Sequence, residues 1–343
     1  MNKYILITGG TGYIGSHIII ELYNLGYNNI IVIDSLINST TENLQNIYKI
    51  KNKMPLFYNL DLISSHLNII FQTFNIDIVL HLASLKSVPE SINDPIKYYN
   101  NNVVGLINLL NIMKKYNCKK IIFSSSATVY GNSQFPLHET SPVIPENITN
   151  PYGQTKYICE RIINDMTIFN NFQAIILRYF NPIGYHPSGL IGDNLLNSNL
   201  FSTICNLIKN NIKNKIPLGI DEIKLTIFGN NYNTKDGTCI RDFIHVCDLA
   251  HAHIKAIKKL NSTKNNYLIY NIGTGIGTSV KELIETFSIF YPINYTIGNK
   301  RDGDIEFSCC CCNKMNKELH FYPKYNIYDA CNHGYNYILN ISK

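Results

Sequence analysis

Tyr4-Ile5-Leu6-Ile7-Thr8-Gly9-Gly10-Thr11-Gly12-Tyr13-Ile14-Gly15 is the stretch that decides the fold. Ile5 to Thr8 reads as a fully buried strand, the glycines as a tight turn, and the residues through Leu25, stopped by Gly26, as a helix. Strand, glycine-rich turn and helix in that order are the context of a dinucleotide site. Gly9 permits the turn, Gly12 lets the backbone approach a pyrophosphate, and Gly15 lets the helix pack close to the strand. The free N–H groups at the helix start carry partial positive charge suited to phosphates. A second apolar strand, Ile30 to Ile33, ends at Asp34, nineteen residues past Gly15. A carboxylate there accepts both ribose hydroxyls of adenosine and repels a 2′-phosphate, so the expected cofactor is NAD and not NADP.

Further strand–helix units follow. Leu56 to Asn59 leads to Asp61-Leu62, a place for an adenine contact, and Ile76 to His81 runs into the small residues Leu82-Ala83-Ser84. Lys86 follows on a loop where it can meet a phosphate or ribose. Tyr98 to Tyr116 is amphipathic and helical, with Asn101 and Asn102 near its start. Lys120 to Phe123 forms a strand entering Ser124-Ser125-Ser126-Ala127-Thr128-Val129-Tyr130-Gly131, and Ile175 to Phe180 another entering Asn181-Pro182-Ile183-Gly184. This alternation predicts a parallel sheet of six or seven strands. The pattern changes beyond Gly184. The expected fold is therefore α/β: a Rossmann-type doubly wound parallel sheet with a smaller mixed α/β C-terminal substrate domain. The expected division is 1–182, with return segments near 232–255, and 183–343.

Tyr152 and Lys156 in Pro151-Tyr152-Gly153-Gln154-Thr155-Lys156 are four apart and share one helix face. Asn150 suits the cap of that helix and Pro151 its first position. An ammonium beside a phenol favours the phenolate and is expected to lower the tyrosine pKa, making a base. The same pattern also fits a surface helix with a chance pair, because tyrosine is abundant at 24 residues. The serine run at the carboxyl end of a strand adds Ser126 as a proton relay. Between Ser124 and Gly131 there is no acidic residue.

Composition narrows the classes. With 343 residues, 45% hydrophobic and 16% charged, the chain is globular and large enough for one big core or two modest ones. The net charge of +6 is spread thinly, with no dense basic block, so no nucleic-acid partner is expected. Neither a signal-peptide layout nor a membrane-length apolar run is present, and a cytoplasmic location with no membrane partner is expected. Ten cysteines are scattered except for Cys309 to Cys312. Adjacent residues on a strand face opposite ways, so these thiols are expected as buried small side chains, and no metal is expected.

Four phrases carry a resemblance: TGGTGYIGSH (Thr8 to His17), SSSATVYG (Ser124 to Gly131), RYFNPIG and HPSG (Arg178 to Gly189), and the segment from Ile227 to His253. With the Ser126…Tyr152-x-x-x-Lys156 set they resemble the extended short-chain dehydrogenase/reductase superfamily and, within it, the UDP-glucose 4-epimerase family, nearly end to end. The resemblance implies Ser126, Tyr152 and Lys156 as the catalytic group. It implies Gly9, Gly12, Tyr13, Ile14, Gly15, Asp34, Asn38, Ser39, Asp61, Leu62, Lys86, Asn101 and Tyr179 as NAD contacts, beside Tyr152 and Lys156. It implies Asn181, Asn199, Leu200, Thr226, Phe228, Arg241, Arg301 and Asp304, with Ser126, as contacts to a UDP-sugar. Two arginines suit a diphosphate, Phe228 offers a stacking face to uracil, and Asp304 accepts ribose hydroxyls. A homodimer is implied too, paired through helices at Ile92 to Tyr116 and Pro151 to Phe169. The chain departs from the family at Cys310-Cys311, where relatives usually carry Ala-Asp after the Arg301-Asp302-Gly303-Asp304 phrase. Local capping or loop packing should differ there. At Ser308 the family has either a bulky tyrosine or a small residue. A small one implies room for an N-acetyl group, and so UDP-N-acetylglucosamine as a second substrate.

Alternatives remain at this stage. A 4,6-dehydratase normally has an Asp-Glu pair after the serine and a UDP-glucuronate decarboxylase a Glu; Ala127 and Thr128 stand here instead. A non-catalytic NAD-binding sensor would keep the fold but has no need of a base.

Overall fold

A computed structural model describes residues 2–133, 135–194, 199–214, 224–301 and 304–343, with Lys224 described by its backbone. Asp302 and Gly303 of the Arg301–Asp304 phrase lie outside the described residues. Six strands, β1 (Tyr4–Thr8), β2 (Ile30–Asp34), β3 (Leu56–Asn59), β4 (Ile76–His81), β5 (Lys120–Ser126) and β6 (Gln173–Tyr179), join Tyr267–Ile272 in one sheet. The order is Tyr267–Ile272, β6, β5, β4, β1, β2, β3, and every pairing is parallel. β1 lies between β2 and β4, so the winding reverses there. That reversal opens a crevice at the carboxyl ends of β1 and β4.

Alternation along each strand sends side chains to two apolar layers. Ile5, Ile7, Val32, Leu80, Ile122, Ile175 and Leu177 pack with α1 (Tyr13–Asn24) and the Val246–Ser262 helix. Leu6, Ile31, Ile33, Val79, Ile121, Phe123 and Ile176 pack on the other face, under the Gly105–Lys115 and Pro151–Phe169 helices. A third core, around Tyr185, Phe201, Phe287 and Ile338, belongs to the smaller cap, built from helices Leu200–Lys213, Val280–Ser288 and Ile327–Ile341. The chain rejoins the first layer as the Val246–Ser262 helix, which overlaps the return segment expected near 232–255, and as the edge strand Tyr267–Ile272. Tyr98 to Tyr116 is not one regular helix. Tyr99–Val104 widens into a π-helical turn before Gly105–Lys115, and Asn102 in that turn bonds Leu85 O and Thr155 Oγ1, both 3.0 Å.

Asn150 caps the Pro151–Phe169 helix by accepting the Gly153 N–H at 2.9 Å, and Pro151 takes its first turn. Farther along that helix, Glu160 meets Arg178 of β6 through two bonds, Nε–Oε1 at 3.0 Å and Nη2–Oε2 at 2.6 Å. Both side chains are 5% exposed. The Ser125 hydroxyl of β5 donates to the same carboxylate, and the Arg178 guanidinium lies 4.7 Å from the Tyr130 ring centre.

The cysteine run is spent on packing. Cys309 and Cys310 are buried, and both thiols, with the Cys310 N–H, point to the fully buried Asp242 carboxylate. Cys312 opens the Asn313–Leu319 helix with no side-chain cap bond. Among the described residues no group of His, Cys, Asp or Glu could hold a metal ion, and no helix is long and apolar enough to cross a membrane.

Removing one partner of a buried ion pair strands the other charge. Arg178→Met should lower the unfolding free energy by about 3–5 kcal/mol in urea titration. A loss within experimental error of zero would show that the pair does not anchor the helix.

Candidate active site

The crevice is a cavity of about 1310 Å³ running from the glycine turn to the cap. Its floor is backbone. Gly9 has φ +74°, and a Cβ added there would lie 2.7 Å from Ala83 N. A Cβ at Gly15 would lie 2.5 Å from Gly9 O, whereas one at Gly12 would meet only Gly9 O at 3.3 Å. The closed sides are where β4 and α1 press in, and the tolerant one is where α1 begins. No side chain caps α1, so its first N–H groups are open to an anion. A dinucleotide fits this cradle.

Asp34 is already oriented. Its carboxylate accepts the Thr11 N–H at 3.2 Å, the Leu36 N–H at 3.0 Å and the Ser39 hydroxyl at 3.0 Å. A carboxylate has about four acceptor sites, so one remains on Oδ2 for a ribose hydroxyl, and a second hydroxyl would take the place of one of the present donors. Asn38, Asp61, Leu62, Lys86 and Asn101 line the same half of the cavity. Tyr13 also lines it, and its hydroxyl donates to Gly184 O at 2.5 Å, which ties the start of α1 to the loop entering the cap.

At the middle of the cleft stand Ser126, Tyr152, Lys156 and Tyr179. Ser126 accepts the Thr128 N–H at 3.2 Å and hydrogen-bonds the Tyr152 phenol. Lys156 Nζ donates to Ser124 O at 2.7 Å and lies 5.8 Å from the Tyr152 ring centre. The expected lowering of the Tyr152 pKa is not produced by these groups. Burial pushes the phenol up to about 12 against the Ser126 bond, and the same burial pulls Lys156 down to about 8. Both shifts have one cause: low-dielectric surroundings penalise whichever form is charged. The phenolate therefore needs a positive charge supplied close to the ring.

The far half of the cavity is walled by Asn181, Asn199, Leu200, Thr226, Phe228, Arg241, Arg301 and Asp304. Asn199 caps the Leu200–Lys213 helix through Ser202 N at 2.9 Å. Arg241 Nη2 lies 3.8 Å from Asp304 Oδ1. The Phe228 face expected to be open carries the Arg301 guanidinium, 3.7 Å from the ring centre. Ser308 is the expected contact that the cleft does not include; it pairs in register with Arg241 as part of Phe307–Ser308. Sequence reading missed Phe243, Val280 and Tyr337 as walls. Only the chain path brings these to the cleft, and no local motif marks them.

Residues 5–273 match the sequence model of the NAD dependent epimerase/dehydratase family. The chain is 43% identical over 332 residues to the UDP-glucose 4-epimerase of Dictyostelium discoideum, covering 95% of this chain and 93% of that one. It is also 43% identical over 344 residues to the bifunctional protein gal10 of Schizosaccharomyces pombe, covering 96% of this chain. There it spans 46% of the relative's length. Among solved structures, UDP-glucose 4-epimerase from Bifidobacterium longum in complex with NAD+ and UDP is similar with a TM-score of 0.89 at 37% identity, covering 99% of this chain and 98% of that one.

The lowered Lys156 pKa fixes the sign of a stability effect. Below about pH 8 the buried ammonium is charged in both states and burdens the fold. Between there and the ordinary lysine value the unfolded chain holds more protons, so stability rises with pH. Urea unfolding from pH 7 to 10 should show the wild type gaining on Lys156→Met across that window. Parallel curves would refute the buried-ammonium assignment.

Proposed function

The chain belongs to the NAD dependent epimerase/dehydratase family, and from that premise we propose that it is an isomerase interconverting UDP-glucose and UDP-galactose at C4 through a 4-keto sugar. One observation carries this reading: the face of the Pro151–Phe169 helix bearing Tyr152 and Lys156 opens onto the cleft between the glycine cradle and the Arg241–Arg301 wall. NAD, held by the glycine cradle and Asp34, would supply a reversible hydride acceptor and a positive charge to the cleft.

Tyr152 takes the 4-hydroxyl proton, directly or through Ser126, and later returns it. Lys156 favours the phenolate while that proton is away. Gly9 and Gly15 let the turn and α1 pack closely, Gly12 leaves room for the cofactor pyrophosphate, and Asp34 holds the adenosine ribose. Asn38, Ser39, Asp61, Leu62, Lys86, Asn101 and Tyr179 complete that half. Arg241 and Arg301 hold the substrate diphosphate, so the keto sugar can turn without leaving. Arg301 must slide from Phe228 if uracil is to stack there.

The dehydratase and decarboxylase alternatives lack their carboxylates between Ser124 and Gly131. Ser308 puts no side chain into the wall next to Arg241, and that space supports acceptance of N-acetylated UDP-sugars as well. Ile92, Ile96, Val104 and Ile107 are exposed along the helices before the serine strand. They are the apolar face proposed for a homodimer; a sedimentation mass near 39.1 kDa would reject it. Ten free cysteines suit a reducing cytoplasm.

Incubation with UDP-galactose should yield UDP-glucose. Tyr152→Phe should lower kcat by about 10²–10⁴-fold while NAD stays bound. Unchanged turnover in that variant would reject the base, and no product from the wild type with NAD bound would favour the sensor. The same assay with UDP-N-acetylgalactosamine should give the glucosamine epimer; turnover of UDP-galactose alone would refute the Ser308 argument.

A further inference from the structure

Tyr179 ends β6 in register with Ser126 and lines the cleft, so two phenols stand at its centre. The Tyr179 hydroxyl is bound to the layer behind the sheet, 2.5 Å from His253 Nε2 in the Val246–Ser262 helix. The other ring nitrogen, Nδ1, lies 2.8 Å from Leu249 O, four residues earlier in that helix. A carbonyl only accepts, so Nδ1 carries the imidazole proton and Nε2 is a bare acceptor. Tyr179 therefore donates and His253 receives.

That direction is fixed across the working pH range. His253 is 1% exposed, and burial pulls its pKa down to about 4, so it stays neutral. Burial and the neighbouring Tyr152 push Tyr179 well above the ordinary phenol value. The titratable group acting on the pair from the Pro151–Phe169 helix is Tyr152. His251 of the Val246–Ser262 helix is engaged with Glu21 of α1 at 3.3 Å. β5 offers the Ser124 hydroxyl, which hydrogen-bonds Tyr179.

We infer that His253 is a positioning residue for the reaction: by holding the Tyr179 hydroxyl as a donor on the far side of the sheet, it keeps Tyr152 as the single cleft phenol that exchanges a proton with substrate. The inference rests on the reading of Tyr152 as the base. A released Tyr179 hydroxyl is free to turn to another acceptor, the Ser124 hydroxyl or the Tyr152 phenolate. A bond donated to the Tyr152 phenolate would stabilise that anion and weaken it as a base.

The test uses full-length NAD-bound enzyme, checked for folding by circular dichroism, and compares pH profiles of kcat with UDP-galactose. His253→Leu should lose about tenfold or more in kcat with little change in KM, and its acid limb should move to lower pH. His253→Gln, which keeps an acceptor, should recover the wild-type profile. In His253→Leu/Tyr179→Phe the acid limb should return, because no second hydroxyl remains. A wild-type profile in His253→Leu, or the same displaced limb in the double variant, would overturn the inference. If His253→Leu does not fold, His253→Asn, polar but too short to reach the phenol, takes its place with the same outcomes. Tyr152→Phe separates the two claims. Activity in that variant removes the base reading, whereas an inactive Tyr152→Phe beside an unaltered His253→Leu removes only the role of His253.

Discussion

The buried contact of Glu160 with Arg178 is the constraint on which the site's geometry depends. A guanidinium enclosed in protein is tolerable only when its charge is matched, and the carboxylate meets Nε and Nη2 side by side while Nη1 makes no hydrogen bond. Matching requires the Pro151–Phe169 helix to sit at one height and one rotation against β5 and β6. Lys156 is one helical turn before Glu160, and Tyr152 one turn before that. Their reach into the cleft is thus fixed from beneath by a pair that never touches it. The anchoring extends sideways: Tyr130 covers Arg178 and donates to Asn271 at 2.7 Å, which brings in the edge strand.

Burial sets the electrostatic character of the centre. It makes Tyr152 a poor acid and Lys156 a poor base at the same time, because neither charge is solvated. A site of that kind stays quiet until compensating charge is brought in, which suits chemistry to be confined to a loaded cleft. The cofactor half is prearranged differently. Asp34 is held by three donors, so the direction of its carboxylate is set before a ribose arrives.

The legible parts of the molecule were those written in short spacings. The glycine turn, Asp34, the Asn150 cap and the Tyr152–Lys156 interval each lie within one element or one strand–helix unit, where period and steric need are local. The illegible parts depend on partners far apart in the chain. Glu160 reads as an ordinary helix carboxylate until Arg178 arrives, and His253 as a core histidine until Tyr179 does. The pKa direction of Tyr152 was misjudged because sequence spacing reveals a neighbouring ammonium but not the depth of burial. Arg301 on Phe228 is a further case, since a motif names residue types and not where the loop turns them. The edge position of Tyr267–Ile272 was not legible because its residues read like any other short apolar strand.

That edge strand also has a consequence in time. β6 ends at Tyr179, and the strand that pairs with its outer side ends at Ile272, after the cap helix Leu200–Lys213 and several cap strands have been made. At about 5–20 residues per second a ribosome needs roughly 5–20 s to deliver the missing neighbour. During that interval β6 presents an unpaired, apolar parallel edge to the crowded cell, and Arg178 lacks part of its cover. The nascent chain is most exposed to mispairing then, and a chaperone gains most by binding while residues 180–272 emerge.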